Sequence, residues 1–304
     1  NATHMIVLMV PQGAALEVDR VAEVARLAGA EVIETRTVPV PVTLADRRTV
    51  HNLLVSSADT ERLSSRLRDL SDAHGVDIAL QPRAARCQSY RLAVFDMDST
   101  LIDCEVIDEL AATAGVGEAV AEITARAMRG ELDFDESYRT RLALLEGLDA
   151  RAVEELADRL PVKEGLREMT TTLKAQGMTL AIFSGGFMPI AERLKADYGF
   201  DEVVANTLDI AAGKVTGRVV PPIVNREHKA TALHALVTRL GISADACIAV
   251  GDGANDLDMM AMAGLGVAFH AKPAVRAASP IEVTHCGLDG VCYLLGSEGE
   301  FADT

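Results

Sequence analysis

Two short acidic segments carry the strongest chemical signal in this chain. Asp96-Met97-Asp98-Ser99-Thr100 follows the apolar run Leu92 to Phe95, and Gly251-Asp252-Gly253-Ala254-Asn255-Asp256 follows Cys247 to Val250. Carboxylates in such pairs can attack as nucleophiles, move protons or share a hard divalent cation. Each segment also has an ordinary reading, as a solvated acidic turn in the first case and a capped helix start in the second. Their placement directly after apolar strands sets them apart, because ligands of open α/β sheets gather beyond the carboxyl ends of the strands. Two carboxylate clusters meeting there would repel without a cation between them. Mg2+, which prefers oxygen ligands and usually shares carboxylates with substrate phosphate, suits that role. A third apolar run ends at Phe183-Ser184-Gly185-Gly186, where a hydroxyl and backbone N–H groups ahead of a helix form a candidate phosphate cradle. Lys229 opens the helix before the Asp252 strand, where a solvated surface lysine is the ordinary reading.

The elements that would position these residues follow from hydrophobic period. From Arg91 onward, apolar strands alternate with helices: Leu92 to Phe95, Thr179 to Phe183, Cys247 to Val250 and Leu265 to Phe269. That alternation predicts a parallel, Rossmann-like α/β sheet. Between its first two strands, residues 104–160 are almost wholly helix-forming and too many for a simple crossover, so they read as an inserted helical cap. Leu208 to Val220 alternates around Gly213-Lys214 and predicts a β-hairpin beside the sheet. Ahead of all this, Met5 to Val10 reads as a strand, and Val18, Val21, Ala25 and Ala28 as a helix stopped at Gly29. Glu31 to Val38 and Val50 to Val55 follow as strands, then a helix through Leu63, Leu67 and Leu70 ending near Gly75, then a strand from Val76 to Leu80. The order βαββαβ suits a ferredoxin-like sandwich. The resulting division is 1–4 as an expression scar, 5–84 as the sandwich, 85–91 as a linker and 92–304 as the sheet domain.

Composition narrows the function classes. Lys and Arg number 29 against 45 Asp and Glu, and aromatics are 4% with no Trp, so neither a basic phosphate footprint nor base-stacking platforms are on offer. Nucleic acid and membrane are not expected partners. The five cysteines, Cys87, Cys104, Cys247, Cys286 and Cys292, are scattered and fit a reducing cytoplasm better than a disulfide framework or a zinc site.

Taken in order, Asp-x-Asp-x-Thr, Ser, Lys and Gly-Asp-x-x-x-Asp resemble the motifs of the haloacid dehalogenase superfamily of phosphotransferases. That resemblance implies Asp96 as the nucleophile that becomes an aspartyl-phosphate and Asp98 as general acid and base. It also implies Ser184 and Lys229 as phosphoryl ligands, Mg2+ held by Asp96, Asp98 and Asp252, and Asp256 orienting that site. Within the superfamily, Phe95 to Ile102 continuing into Glu105, Met128 through Gly130, Phe134-Asp135-Glu136-Ser137 and Arg141-Leu142 are similar to the phosphoserine phosphatase family. The family implies Glu105 facing a substrate ammonium, Arg141 its carboxylate, Phe134 walling the cap and Met128 helping to close the pocket. Gly185 and Asn255 would lie near the phosphate. The implied activity is hydrolysis of O-phospho-L-serine, a small-molecule substrate, in the last step of serine biosynthesis. The first eighty or so residues resemble, in element pattern, the ACT-like regulatory domains fused to some of these enzymes. They are expected to fold separately and to form a homodimer or bind an amino acid, leaving the chemistry to the remainder. The rivals are a phosphotransferase of the same fold that uses another acceptor, and a regulatory binding protein with an inactive core.

Overall fold

Continuous apolar runs and alternating ones build two different sheets. The computed structural model describes residues 1–302, the side chain of Met128 excepted, so the expected part of Met128 in pocket closure lies outside the described residues. The first sheet comes from β1 (His4–Pro11), α1 (Val18–Leu27), β2 (Glu31–Val38), β3 (Arg48–Ser56), α2 (Thr60–His74) and β4 (Asp77–Pro82). Its strands are antiparallel in the order β2-β3-β1-β4, which is the expected ferredoxin-like sandwich. Asp59 caps α2 by accepting the Arg62 N–H at 3.0 Å, and Gly75 ends that helix in the left-handed conformation. Residues 1–4, set aside as a scar, take part in the sheet. His4 pairs with Val55 and Pro82, the Thr3 N–H donates to the Val55 carbonyl at 2.9 Å, and Ala2 is buried.

Because β1 is apolar at every position from Met5 to Val10, it must be covered on both faces. Ile6, Leu8 and Val10 pack against Val21, Ala25, Leu63 and Leu67 of the two helices. Met5, Val7 and Met9, with Val50 and Leu54, instead enter one apolar cluster with Val283, Leu288, Val291 and Leu294 of the C-terminal part. The sandwich therefore shares a core with the rest of the chain, where separate folding had been expected. Polar contacts seal the seam. Asp77 accepts backbone N–H bonds from Thr284, His285 and Cys286 at 2.8 to 3.2 Å, and the buried pair Arg48 Nε and Asp289 Oδ2 lie 3.1 Å apart. The expected linker begins inside α3 (Arg83–Cys87), whose Arg86 is buried and donates to Glu300 Oε2 at 3.0 Å and the Tyr293 carbonyl at 2.7 Å. A buried guanidinium needs such partners, and meeting that need draws the connection into the seam.

The second sheet opens with β5 (Leu92–Phe95), and the stretch read as a cap contains α4 (Val106–Thr113), α5 (Gly117–Met128), α6 (Phe134–Ala143) and α7 (Arg151–Asp158). Then come α8 (Leu166–Ala175), β6 (Thr179–Phe187), α9 (Met188–Tyr198), β7 (Glu202–Asn206), β8 (Ile210–Ala211) and β9 (Lys214–Val215). The chain continues through α10 (Arg226–Leu240), β10 (Cys247–Gly251), α11 (Leu257–Met262), β11 (Leu265–Phe269), α12 (Pro273–Ala278), β12 (Glu282–Val283) and α13 (Gly290–Tyr293). Six strands pair in parallel in the order β12-β11-β10-β5-β6-β7. The hairpin β8–β9 forms its own small sheet and leans on the cap, with the Val215 N–H donating to the Leu148 carbonyl at 2.8 Å. It was expected beside the main sheet. Two-residue strands cannot pair widely, and the free edge groups of the cap satisfy them instead.

The Asp77 carboxylate gives the seam a measurable anchor. Asp77→Ala would leave three backbone donors without their charged acceptor and is expected to lower the unfolding free energy by about 3 kcal/mol, with Asp77→Asn retaining part of it. Denaturant unfolding of the full chain checks this, and a loss below about 0.5 kcal/mol would mean that water replaces these bonds.

Candidate active site

Neighbouring parallel strands bring the separated motifs to one edge. β10, β5 and β6 lie side by side, with Val250 level with Phe95 and Phe95 level with Ile182, so Asp96 and Asp252, just past their strands, and Ser184, still within β6, come to the same end of the sheet. The Asp96 N–H still donates to the Val250 carbonyl at 2.9 Å, which ties the first acidic loop to the second. The second loop turns tightly. Asp256 Oδ2 accepts the N–H groups of Asp252 at 3.1 Å and Gly253 at 3.0 Å, and a Cβ on Gly251 would fall 2.4 Å from the Asp256 carboxyl carbon. Only glycine fits at 251.

Lys229 is fully buried, contrary to the surface reading, and its ammonium donates to Asp96 Oδ1 at 3.0 Å and Asp256 Oδ1 at 2.7 Å. Burial alone would strip its proton, but Asp256 and Asp96 outweigh burial and hold its pKa above the ordinary lysine value. Asp96 is raised well above the usual aspartate value, first by burial and then by Asp256, with Lys229 opposing. Oxygens of Asp96, Asp252 and Asp256 come within 4.8 Å of one another, an all-oxygen donor set that fits a hard divalent cation. Both Asp256 oxygens are engaged by buried groups of the protein interior, Lys229 and the loop N–H groups, whereas Asp96 and Asp252 line the cavity, where a metal could reach them.

The Asp98 carboxylate stands outside that trio. Its Oδ2 accepts the Val106 N–H at 3.4 Å, while its Oδ1 is buried without a partner. Burial, then the charge of Glu105, raises its pKa well above the ordinary value, the condition a general acid requires. A carboxyl group so placed suits proton transfer, while the carboxylate oxygens that cluster belong to Asp96, Asp252 and Asp256.

A cavity of about 530 Å3 runs from Asp96, Asp98 and Asp252 to Glu105, Phe134 and Arg141 of the cap, with Gly185 and Asn255 on its wall. Ser184 and Lys229 are fully buried, and neither lines it. The Ser184 Oγ accepts the Gly186 N–H at 2.8 Å, so that N–H is already committed while the hydroxyl keeps its own proton to donate. A Cβ on Gly185 would sit 3.5 Å from Phe134 Cζ and 3.6 Å from Asn255 Nδ2, which shows the cap closed over this loop. Asn225 Nδ2 also donates to Asp135 Oδ1 at 3.2 Å, latching the start of α6 to the start of α10. In the cap, Arg141 spends its Nε on the Ser137 carbonyl at 3.2 Å, and Glu105 Oε1 receives the Ser99 hydroxyl at 2.8 Å.

Asp108 and Lys272 escaped the sequence reading, and Ser99 and Thr100, named there only as members of the first acidic motif, take specific contacts. Ser99 holds Glu105 from a left-handed backbone, φ 61°. Thr100 donates to Asp252 Oδ1 at 2.9 Å, Asp108 lines the cavity near Arg141, and Lys272 donates to Asp252 Oδ2 at 2.7 Å. Lys272 follows the end of β11, and the rule that sites gather at strand ends was the signal that could have found it.

The raised pKa of Asp98 has a consequence for stability. The folded protein holds this proton to higher pH than the unfolded chain, so the contribution is present below the ordinary aspartate range and is lost as pH rises through the folded-state value. Asp98→Asn, which keeps the shape without the charge, is expected to raise the melting temperature in chelator by several degrees near pH 8 and by little near pH 4. Calorimetry at the two pH values decides it; an equal shift at both, or destabilisation near pH 8, would count against an ionised Asp98.

The profile of the haloacid dehalogenase-like hydrolase family matches residues 90–264. A phosphoserine phosphatase of Streptomyces coelicolor is 46% identical over 253 residues, 82% of this chain and 62% of that protein, so the present chain spans less than two thirds of its length. Among solved structures, a haloacid dehalogenase family hydrolase of Salmonella enterica serovar Typhi aligns with a TM-score of 0.86 and 30% identity over 97% of this chain and 99% of its own. A probable phosphoserine phosphatase of Vibrio cholerae aligns with a TM-score of 0.75 and 32% identity over 96% of this chain and 86% of its own. Both alignments take in the N-terminal sandwich as well as the parallel sheet. The chain belongs to the haloacid dehalogenase-like hydrolase family, and its likeness within that family is to phosphoserine phosphatases.

Proposed function

We propose that this chain is a Mg2+-dependent phosphatase that hydrolyses O-phospho-L-serine to L-serine and phosphate, the last step of serine biosynthesis. The observation that carries the reading is that one cavity is lined by Asp96, Asp98 and Asp252 together with Glu105 and Arg141. A guanidinium can grip a carboxylate with two donors, and a carboxylate can face an ammonium, which together describe the two charged groups of a serine backbone.

Held by Asp96 and Asp252, Mg2+ would neutralise charge on the phosphoryl oxygens. Asp96 Oδ1 is occupied by the Lys229 ammonium and the Met97 N–H at 2.8 Å, which leaves Oδ2 to attack phosphorus. As that bond forms, the bond from phosphorus to the seryl oxygen breaks, and Asp98 gives its proton to the departing oxygen. Asp98, now a carboxylate, takes a proton from water, whose oxygen attacks phosphorus and frees Asp96 and phosphate. Lys229 has a third N–H beyond the two it spends, and Ser184 has its hydroxyl proton, so both retain a donor for the phosphoryl group. The closed cap, with Phe134 against Gly185, would keep bulk water from the first transfer. The N-terminal sandwich is read here as an ACT-like regulatory domain that forms a homodimer or binds an amino acid. Unpaired cysteines at all five positions are consistent with a cytoplasmic home.

Phosphate release from a panel of phosphorylated metabolites, with and without added acceptor alcohols, tests the reading against phosphotransfer and against an inactive core. Turnover of phosphoserine should vanish in chelator and return with Mg2+; full activity in excess chelator would refute the metal requirement. Arg141→Ala and Glu105→Gln should each cut kcat/KM for phosphoserine about thirty- to a thousand-fold while sparing an aryl phosphate that lacks both charged groups. Parallel losses on the two substrates would move the physiological substrate to another phosphomonoester.

A further inference from the structure

A second ammonium stands at the site besides Lys229, and nothing in the proposed chemistry uses it. Lys272 Nζ donates to Asp252 Oδ2 at 2.7 Å, and the Lys272 backbone N–H donates to the Asp252 carbonyl at 3.0 Å. The residue is held at this place by its own loop. Two positions earlier, His270 adopts a left-handed backbone, φ 42°, with its ring stacked on Phe269 at 4.0 Å. The His270 Nε2 lies 2.8 Å from the Cys286 carbonyl and must donate to it, which leaves Nδ1 as acceptor for the Lys163 ammonium at 3.2 Å.

We propose that Lys272 is a built-in counter-ion of Asp252, which neutralises that carboxylate while no divalent cation is bound and competes with the cation for it. The inference rests on the reading of Asp252 as a metal ligand. Three features favour competition over mere orientation. Thr100, fully buried, already fixes the Asp252 carboxylate through Oδ1 at 2.9 Å, so orientation does not require a second donor. The Lys272 side chain is 51% exposed, whereas that of Lys229 is 0% exposed, so Lys272 can leave toward water and Lys229 cannot. Lys272 also lines the same cavity as Glu105 and Asp96, so an ammonium displaced from Asp252 stays among acidic side chains. An ammonium beside a divalent cation on one carboxylate is repelled by it. In the metal-free protein the same ammonium relieves the mutual repulsion of Asp96, Asp252 and Asp256.

The test uses the full chain and Mn2+ as the probe, with free Mn2+ followed by electron paramagnetic resonance and unfolding followed by melting curves. Lys272→Met is expected to bind Mn2+ about three- to tenfold more tightly than the parent, to melt lower in chelator and to gain more from added Mn2+. Lys272→Arg, which keeps the charge, should stay near the parent in all three. A folded Lys272→Met protein with unchanged or weaker Mn2+ affinity would overturn the proposal in favour of a purely orienting lysine. Lys272→Gln carries the same comparison if the methionine variant aggregates. Absence of Mn2+ binding in the parent would overturn the metal reading itself, and this inference with it.

Discussion

The fully buried ammonium of Lys229 is the constraint on which the rest of the catalytic half depends. An unpaired charge in that position would be prohibitively unfavourable, so Asp96 and Asp256 must both reach it. Asp96 reaches it only if β5 lies beside β10 and the two strands end level. Asp256 reaches it only if the loop after β10 closes on itself, which requires glycine at 251 and spends the other Asp256 oxygen on two backbone N–H groups. The arrangement leaves one oxygen of Asp96 uncommitted and concentrates negative charge around Asp252. It thereby sets an uncommitted carboxylate oxygen within an all-oxygen cluster of the kind a divalent cation can bind.

The two halves of the molecule are mechanically one. A strand apolar on both faces cannot be satisfied by the two helices of its own sandwich, and the C-terminal segments supply the second cover. The seam also reaches the catalytic edge through named bonds: Asp77 to the Thr284 to Cys286 backbone, the Cys286 carbonyl to His270, and Lys272 to Asp252. That continuity gives the sandwich a structural part in the site's surroundings.

The cap supplies the part of the cavity wall that the strand ends do not. Asp96 and Asp252 come from loops at strand ends, whereas Arg141 comes from α6, which a contact between Asn225 and Asp135 latches to the start of α10, and Glu105 from the residue just before α4. A division of this kind lets the same transfer chemistry serve different phosphomonoesters by changing helices alone.

Much of this was legible in the residues themselves. The parallel sheet, the helical insertion, the βαββαβ order and the two acidic loops follow from hydrophobic period and from motif placement, because these are properties of adjacent residues. Glu105, Phe134 and Arg141 could be named only through family resemblance, since charged and aromatic residues on helices have no local mark that distinguishes a pocket from a surface. Tertiary structure alone decided the burial of Lys229, the clustering of Asp96, Asp252 and Asp256 apart from the Asp98 carboxylate, and the contacts of Thr100 and Lys272 with Asp252. It also decided that Ala2 joins the shared core, that His4 joins the first sheet and that Arg86 of α3 is buried in the seam. Each depends on which distant groups become neighbours, and charge balance and burial are set by those neighbours rather than by the local chain.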